Sequence, residues 1–367
     1  LITHIVRLAG KSVGMTTTDG IYLDGRRTET RDCSGPQSAR AIFLNPHVDV
    51  AVLETARGGI LREGLGFDRC TVGVVTNVGR GDHFGLRGVE TLDELARVKR
   101  VVVENVADDG YAVLNAADPL VRAMASVCPG LVVYFAPDET GMPGHRPAVF
   151  VRDGDIVFVD DPEIHVIGLA EMPFVHGGVG FQIENALAAV GACWGLGVSF
   201  DDIRRGLSTF RGDADECPAR FNVLVAGEST VIVDYAHNPS ALEAVIAGLD
   251  SFPHPRRTIV TAGSNRRDED LVDMGARMAG AFDRVVLYAD YGHAGRSDGE
   301  LNALLRRGLA AGPRVRTIEE LPSERAALDR ALDTMAPGEL MVLGVEAIEE
   351  SLAHVRQRLD AMPARGR

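Results

Sequence analysis

The strongest constraint on this chain is its alternation of short, continuously apolar segments with stretches of helical spacing. Asp49-Val-Ala-Val-Leu-Glu54 and Thr71-Val-Gly-Val-Val-Thr-Asn77 lack the polar–apolar alternation of a half-exposed strand, so they read as strands buried on both faces. From Thr91 to Val106 the period changes. Leu92, Leu95, Val98 and Val102 share one stripe while Asp93, Glu94 and Arg97 face away, the pattern of an amphipathic helix. Tyr111-Ala-Val-Leu-Asn115 and Leu131-Val-Val-Tyr-Phe135 are further strands. Strand–helix–strand order requires crossover connections, and hence an α/β fold with a parallel sheet.

Two segments modify that scheme. Ala148 to Val159 reads as a hairpin turning at Asp153-Gly154, because Asp-Gly supplies the positive φ of a two-residue turn; a small antiparallel patch is therefore expected on the parallel sheet. Helical texture follows at Phe181–Trp194 and Asp201–Leu207. Arg211 to Pro218 is polar, carries Gly and Pro, and is the best linker candidate. After it the alternation restarts, with strands near Thr230–Tyr235, Arg257–Ala262, Arg284–Ala289 and Glu339–Val345. A chain of 367 residues suits two domains, here 1–215 and 216–367, the second a Rossmann-like α/β unit.

Charge and composition narrow the partners. A net charge of −14 argues against nucleic acid, which needs a basic footprint. No apolar run reaches the roughly 18 residues of a membrane span, so no membrane is expected and the chain reads as cytoplasmic. Cys33, Cys70, Cys128, Cys193 and Cys217 are scattered, with no C-x-x-C pair; reduced thiols are favoured over disulfides or a zinc site.

The candidate chemistry gathers at strand ends, where open α/β sheets bind ligands. Glu54 closes one buried-type strand and can serve as a hard oxygen ligand for magnesium, or pair with Arg57 or Arg62. Asn77-Val-Gly-Arg-Gly-Asp-His83 ends the next strand, so two strands read as adjacent bring Glu54 and Asp82-His83 to one sheet edge. Lys99 lies on the following helix, where a solvated lysine is the ordinary reading. Asp234-Tyr-Ala-His-Asn-Pro239 crowds Asp, His and Asn at a strand-to-helix turn, which suits a ribose, a phosphate or an ion. Asn238 as a cap with Pro239 at the first helical position explains that pair but not Asp234 or His237. Asn185, inside an Ala-rich helix, is mildly unfavourable there and hints at a hydrogen-bonding task.

Together these motifs resemble the Mur ligase superfamily, whose members form amide bonds with ATP. Thr16-Thr-Thr-Asp-Gly20, Gly35-Pro-Gln-Ser-Ala39, Leu53-Glu-Thr-Ala-Arg-Gly-Gly-Ile-Leu-Arg62, Gly64-Leu-Gly-Phe-Asp68 and Arg266-Arg-Asp-Glu-Asp270 look, within it, like the ligase half of the cyanophycin synthetases, which polymerise aspartate and arginine. The resemblance implies a middle, ATP-binding domain followed by the family's C-terminal domain. It makes Glu54 and His83 the magnesium ligands, and matches Lys99 to a lysine that many relatives carboxylate. It likens Asn185 to the adenine contact, Arg220 in Pro218-Ala-Arg-Phe221 to an arginine that reaches the ATP phosphates, and Asp234 to a ribose-side carboxylate with His237 near the same nucleotide. Thr16, Thr17, Thr18 and Asp19, with Ser34, Gln37 and Ser38, look like acceptor contacts.

The implied function is an ATP-dependent acid–amino-acid ligase working through an acyl phosphate and adding arginine to aspartate side chains. Arg266, Asp268, Asp270 and Arg296 are the candidate contacts to the incoming amino acid, with Asp268 and Asp270 able to take a guanidinium in bidentate hydrogen bonds. Relatives are often homo-oligomers. Leu1–Gly14 reads as the later turns of a helix running into a strand, and is taken as a truncation just after the family's Gly-rich phosphate loop; an ATP-grasp half would lie further upstream. Without the loop's amides and lysine, poor ATP binding and negligible turnover are expected. Two other readings stand beside this one. In the first the same chemistry serves a cell-wall or folate-like acceptor; in the second the chain is a catalytically inactive binding module.

Overall fold

The computed structural model describes residues 1–79, 88–144, 146–263, 266–289 and 296–362. These fall into two compact units, one of residues 1–78 and 88–210, the other beginning at Arg211. Among the described residues there are three sheets, and no helix is long and apolar enough to cross a membrane.

The first unit begins with helix Ile2–Leu8, which runs into strand β1, Val13–Thr17. β1 turns tightly through Thr18-Asp19 into β2, Gly20–Leu23, and then β3, Arg26–Glu29. Gly20 is required there: its φ is +155°, and a Cβ would lie 2.1 Å from the Glu29 carbonyl oxygen. β4, Val50–Leu53, pairs with β1 in parallel, Thr16 opposite Leu53, so the order is β3-β2-β1-β4. β2 is apolar but only four residues long, and β3 is charged and partly exposed, so the hairpin carries no alternation or long apolar run by which the sequence pattern would find it.

The second sheet contains β5, Cys70–Val75; β6, Val106–Asn115; β7, Leu131–Ala136; β8, Ala148–Arg152; β9, Asp155–Val159; and β10, Ile164–Gly168. Its order is β10-β9-β8-β7-β6-β5. β5 to β8 run parallel, while β8, β9 and β10 are antiparallel; the β8–β9 hairpin turns at Asp153 (φ +53°) and Gly154 (φ +85°). This is the expected antiparallel patch on a parallel sheet. Helix Gly180–Gly195 packs on β5 to β8, and its buried Ala and Gly positions allow close approach: a Cβ on Gly191 would lie 2.9 Å from a Val113 methyl. Helix Leu92–Glu104 starts at a capping box between Thr91 and Glu94, which satisfies first-turn amides that would otherwise be unpaired.

One expectation is corrected. The strands ending at Glu54 and Asn77 are not sheet neighbours: β4 lies at the end of the first sheet, beside β1, and β5 at the end of the second, beside β6. The expected burial on both faces also fails: all four residues of β4 are only half-buried, and β5 is buried only at Gly73 and Val75. Each strand has a neighbour on one side alone, so an apolar run shows a strand but neither its depth nor its pairing partner.

The second unit has β11, Asn222–Ala226; β12, Ser229–Asp234; β13, Arg256–Ala262; β14, Arg284–Tyr288; β15, Thr317–Leu321; and β16, Glu339–Gly344. The order is β11-β12-β16-β13-β14-β15, with all pairs parallel except β11–β12. Val231, Val233, Val260, Val286, Met341 and Leu343 form its core with Leu328 and Val355 from the covering helices. The presumed linker is ordered: the Glu216 carboxylate accepts the N–H groups of Arg211 and Gly212, and Asp213 accepts those of Asp215 and Glu216.

The Gly-rich motifs of the first unit are explained by packing on one turn. A Cβ on Gly59 would sit 3.1 Å from the Gly35 Cα, and one on Gly66 (φ +82°) would sit 2.7 Å from the Pro36 carbonyl oxygen. Gly64 also has positive φ (+76°) but faces open space. Gly64→Ala should therefore cost about 1–3 kcal/mol in backbone strain, while Gly66→Ala should cost about 1–3 kcal/mol more through overpacking. Urea denaturation of the two variants checks this; equal losses would contradict it.

Candidate functional site

Parallel pairing of β1 with β4 brings their carboxyl ends side by side, and with them two motifs far apart in sequence. The Glu54 carboxylate accepts the Thr18 N–H at 3.0 Å on Oε2 and the Thr18 hydroxyl at 2.7 Å on Oε1. This, rather than an arginine, is its described hydrogen-bonding partner. Nearby, Thr16 is 1 % exposed and its Oγ1 has no hydrogen-bond partner. Thr17 Oγ1 accepts the Asp19 N–H, so the Thr16–Asp19 turn is internally braced. Ser34 is buried, with its N–H and hydroxyl both on Asp32. Ser38 is buried on helix Pro36–Phe43, and Gln37 donates to Glu63 at 3.4 Å.

At the end of β5, Lys99 Nζ donates to the Asn77 carbonyl at 3.2 Å. It is half-buried and directed to the strand end, unlike the solvated helix lysine of the ordinary reading. Asp82 and His83 lie outside the described residues. The next strand end carries a polar group the sequence reading missed. Asp118 accepts the N–H groups of Val78, Leu120 and Val121, and Asn115 donates to Glu184. Burial, with Asp118 close by, raises the Glu184 pKa above its ordinary value. Asn185 is exposed and donates to Gln182 Oε1 at 3.1 Å. Oxygen donors at Glu54 and Thr18 fit a hard divalent cation such as magnesium; among the described residues no cluster of three His, Cys, Asp or Glu forms a metal site.

In the second unit the carboxyl ends of β12, β13 and β16 converge. Asp234, the last residue of β12, accepts the Phe221 N–H at 2.7 Å, and desolvation pushes its carboxyl up to about 6. The Arg220 guanidinium lies over the Tyr235 ring, 5.5 Å from the centroid, a cation–π contact. Tyr235 also hydrogen-bonds Glu346, and burial followed by that carboxylate raises its pKa. His237 Nδ1 lies 2.7 Å from the Tyr235 carbonyl, and its ring meets the Tyr235 ring edge-on at 4.4 Å. Arg266, 7 % exposed, donates to the His237 carbonyl. Asn238 caps helix Pro239–Gly248 through the Ala241 N–H, as the capping argument expects.

The acidic start of helix Asp268–Ala281 already carries guanidinium groups from this chain. Arg296 donates to Asp268 at 2.7 Å and Arg267 to Asp270 at 3.1 Å. A different acidic surface lies beyond β14 and β16: a cavity of about 390 Å³ lined by Tyr288, Ser323, Glu324, Glu346, Glu350 and His354, among others. Glu324 is partly committed, accepting the Glu346 and Ala347 N–H groups. Neither Tyr235 nor Glu346 was singled out from sequence; the Tyr lies inside a flagged motif, whereas Glu346 has no local signal.

Comparison with known proteins gives a consistent picture. Residues 1–193 match the Mur ligase middle domain, and residues 219–344 the Mur ligase, glutamate ligase domain. The cyanophycin synthetase of Crocosphaera subtropica is 40 % identical over 370 residues, covering 98 % of this chain and 42 % of that protein; the chain thus spans less than half the length of such relatives. Among solved structures, Escherichia coli FolC in complex with DHPP and ADP has a TM-score of 0.68 at 19 % identity, covering 98 % of this chain and 84 % of that one. A bifunctional folylpolyglutamate synthase/dihydrofolate synthase with Mn, AMPPNP and L-glutamate bound has a TM-score of 0.71 at 17 % identity, covering 97 % and 85 %.

The buried carboxyl of Asp234 sets a pH dependence. A folded-state pKa near 6 lies above the ordinary carboxylate value, so the folded protein holds this proton more tightly than the unfolded chain does. The resulting stability is present below about pH 4 and is lost as pH rises through about 6. Asp234→Asn keeps an oxygen for the Phe221 N–H but cannot ionise. Relative to that variant, the unaltered chain should lose roughly 3 kcal/mol between about pH 4 and pH 7, read from urea midpoints; parallel profiles would show that Asp234 is not strained by burial.

Proposed function

The chain belongs to the Mur ligase family, and from that premise we propose that it carries the ligase half of an ATP-dependent acid–amino-acid ligase. The observation that carries this reading is the occupation of strand carboxyl ends by a matched set of polar groups: Glu54 with Thr18 in the first unit, Arg220, Asp234 and His237 in the second. The reaction joins an acceptor carboxylate to an amine through an acyl phosphate. Two anions must approach each other, so cationic groups aimed at the transferring phosphoryl are the main requirement. Arg220 supplies one. Glu54, with His83, would hold magnesium, which when bound offsets phosphate charge. Lys99 would act at the end of β5, where its Nζ meets the Asn77 carbonyl, Asn185 on the adenine, Asp234 on the ribose and His237 beside it. Thr16, with its buried unpartnered hydroxyl, would meet the acceptor together with Thr17, Thr18, Asp19, Ser34, Gln37 and Ser38.

The resemblance to the cyanophycin synthetases supports aspartate side chains as acceptor and arginine as the incoming amine. We favour the cavity beyond β14 and β16 for its guanidinium: Asp268 and Asp270 already carry Arg296 and Arg267, whereas Glu350 lines the cavity together with Glu346, whose carboxylate also meets the Tyr235 phenol. Arg266, which donates to the His237 carbonyl, and Arg296, which donates to the Arg266 carbonyl, would then meet the amino acid's carboxylate.

The test is incorporation of labelled arginine into an aspartate-containing acceptor with magnesium and ATP, using both the 367-residue chain and the product of its complete reading frame. Glu54→Gln should abolish incorporation. Glu346→Gln with Glu350→Gln should raise the KM for arginine about tenfold, the loss of one charged hydrogen bond, and Asp268→Asn with Asp270→Asn should raise it less. No arginine-dependent ATP consumption by the complete product would overturn the reading; the reverse order of KM effects would return the guanidinium to Asp268 and Asp270.

A further inference from the structure

Arg220 stands between two residues in a backbone conformation that side chains other than glycine rarely adopt, Ala219 with φ +49° and Phe221 with φ +55°. Such strain persists only where surrounding contacts over-determine it, and it gathers where a side chain must be aimed. Both flanking side chains are buried, Ala219 at 0 % and Phe221 at 1 % exposure, so the turn cannot relax by swinging into solvent. Three contacts come from β12 and its continuation: the Asp234 carboxylate accepts the Phe221 N–H, Tyr235 N–H donates to the Ala219 carbonyl at 3.0 Å, and the Tyr235 ring lies under the guanidinium.

A further set of contacts comes from one residue with no assigned part in the site. Asn222, 1 % exposed, accepts the Ala219 N–H on Oδ1 at 2.7 Å. Its Nδ2 donates to the Gly212 carbonyl at 3.0 Å and to the Cys217 carbonyl at 2.9 Å. One buried amide thus ties three peptide groups that approach the turn from the preceding segment, with both donors used. Of the 20 side chains, the short amides alone offer one acceptor and two donors in a single plane, and Gln would carry them one carbon too far. We infer that Asn222 is a positioning residue: it holds the left-handed Ala219–Phe221 turn so that Arg220 projects over the Tyr235 ring. That Arg220 then faces a phosphate rests on the proposed function; the positioning itself does not.

The Tyr235 phenol reports on Arg220, because the nearby cation opposes the upward pull of burial and Glu346 on its pKa. The experiment follows ¹³C-tyrosine NMR of the 367-residue chain across alkaline pH, with Tyr235 assigned by its loss in Tyr235→Phe. Asn222→Ala should shift the Tyr235 resonance and raise its titration midpoint to the value seen in Arg220→Ala, and the double variant should add nothing further. A wild-type Tyr235 signal in folded Asn222→Ala, or additive shifts in the double variant, would overturn the inference. If Asn222→Ala does not fold, Asn222→Asp retains the acceptor for Ala219 and loses both donors, and is read in the same way. Amide exchange in the unaltered chain gives an independent check, since an unprotected Ala219 N–H would also refute the lock. Binding of inorganic tripolyphosphate separates the two claims: about tenfold weaker binding in both single variants supports phosphate recognition. A Tyr235 shift without tripolyphosphate binding to any form leaves the positioning intact and removes the phosphate.

Discussion

Parallel strand pairing is the constraint on which the rest depends. A strand buried on both faces must be apolar along its length, so charge is pushed to the strand ends, and parallel neighbours place their carboxyl ends together. In the first unit the parallel pairing of β1 with β4, a half-buried end strand, makes Glu54 and Thr18 neighbours although 36 residues separate them. In the second it brings Asp234, Arg266 and Glu346 to one edge from three different strands. The polar groups of the candidate site are therefore a consequence of the sheet, before any chemistry is considered.

The same constraint explains where the strain is kept. β11 is antiparallel to β12, so the chain must arrive from the side and turn sharply at Ala219–Phe221 before entering the sheet. The turn is held by hydrogen bonds from Asn222 on one side and Asp234 on the other. Asp234 thus serves two demands: its oxygen fixes backbone, while burial leaves its charge poorly solvated and its pKa high. A carboxylate stabilised only by backbone N–H groups and an offset guanidinium remains free to respond to a polar ligand, whereas a full salt bridge would be quenched.

The C-terminal acidic groups illustrate a limit of motif reading. Asp268 and Asp270 suit a guanidinium in bidentate hydrogen bonds, and equally suit an acidic helix start favoured by the helix dipole. In the fold, Arg296 reaches Asp268 from 28 residues away, and Arg267 closes on Asp270 within one helical turn. Acidic residues free of tertiary partners cannot be told from paired ones by spacing. The cavity edged by Glu346 and Glu350 had no motif at all, since its walls come from two strand ends and two helices.

By itself the sequence determined the periodic elements, the α/β class, the Asp153-Gly154 turn and the strand-end positions of Glu54 and Asp234, because each follows from local period, turn chemistry or apolar run length. It also carried the motifs that place the chain in its family. Tertiary structure alone decided that β4 and β5 lie in different sheets, that the short β2 pairs with the charged β3, that Lys99 turns toward Asn77, and that Asn222 ties the turn that carries Arg220. These depend on which segments meet across long stretches of chain. Partner choice is an energetic competition among all strands and side chains at once, and no local pattern records its outcome.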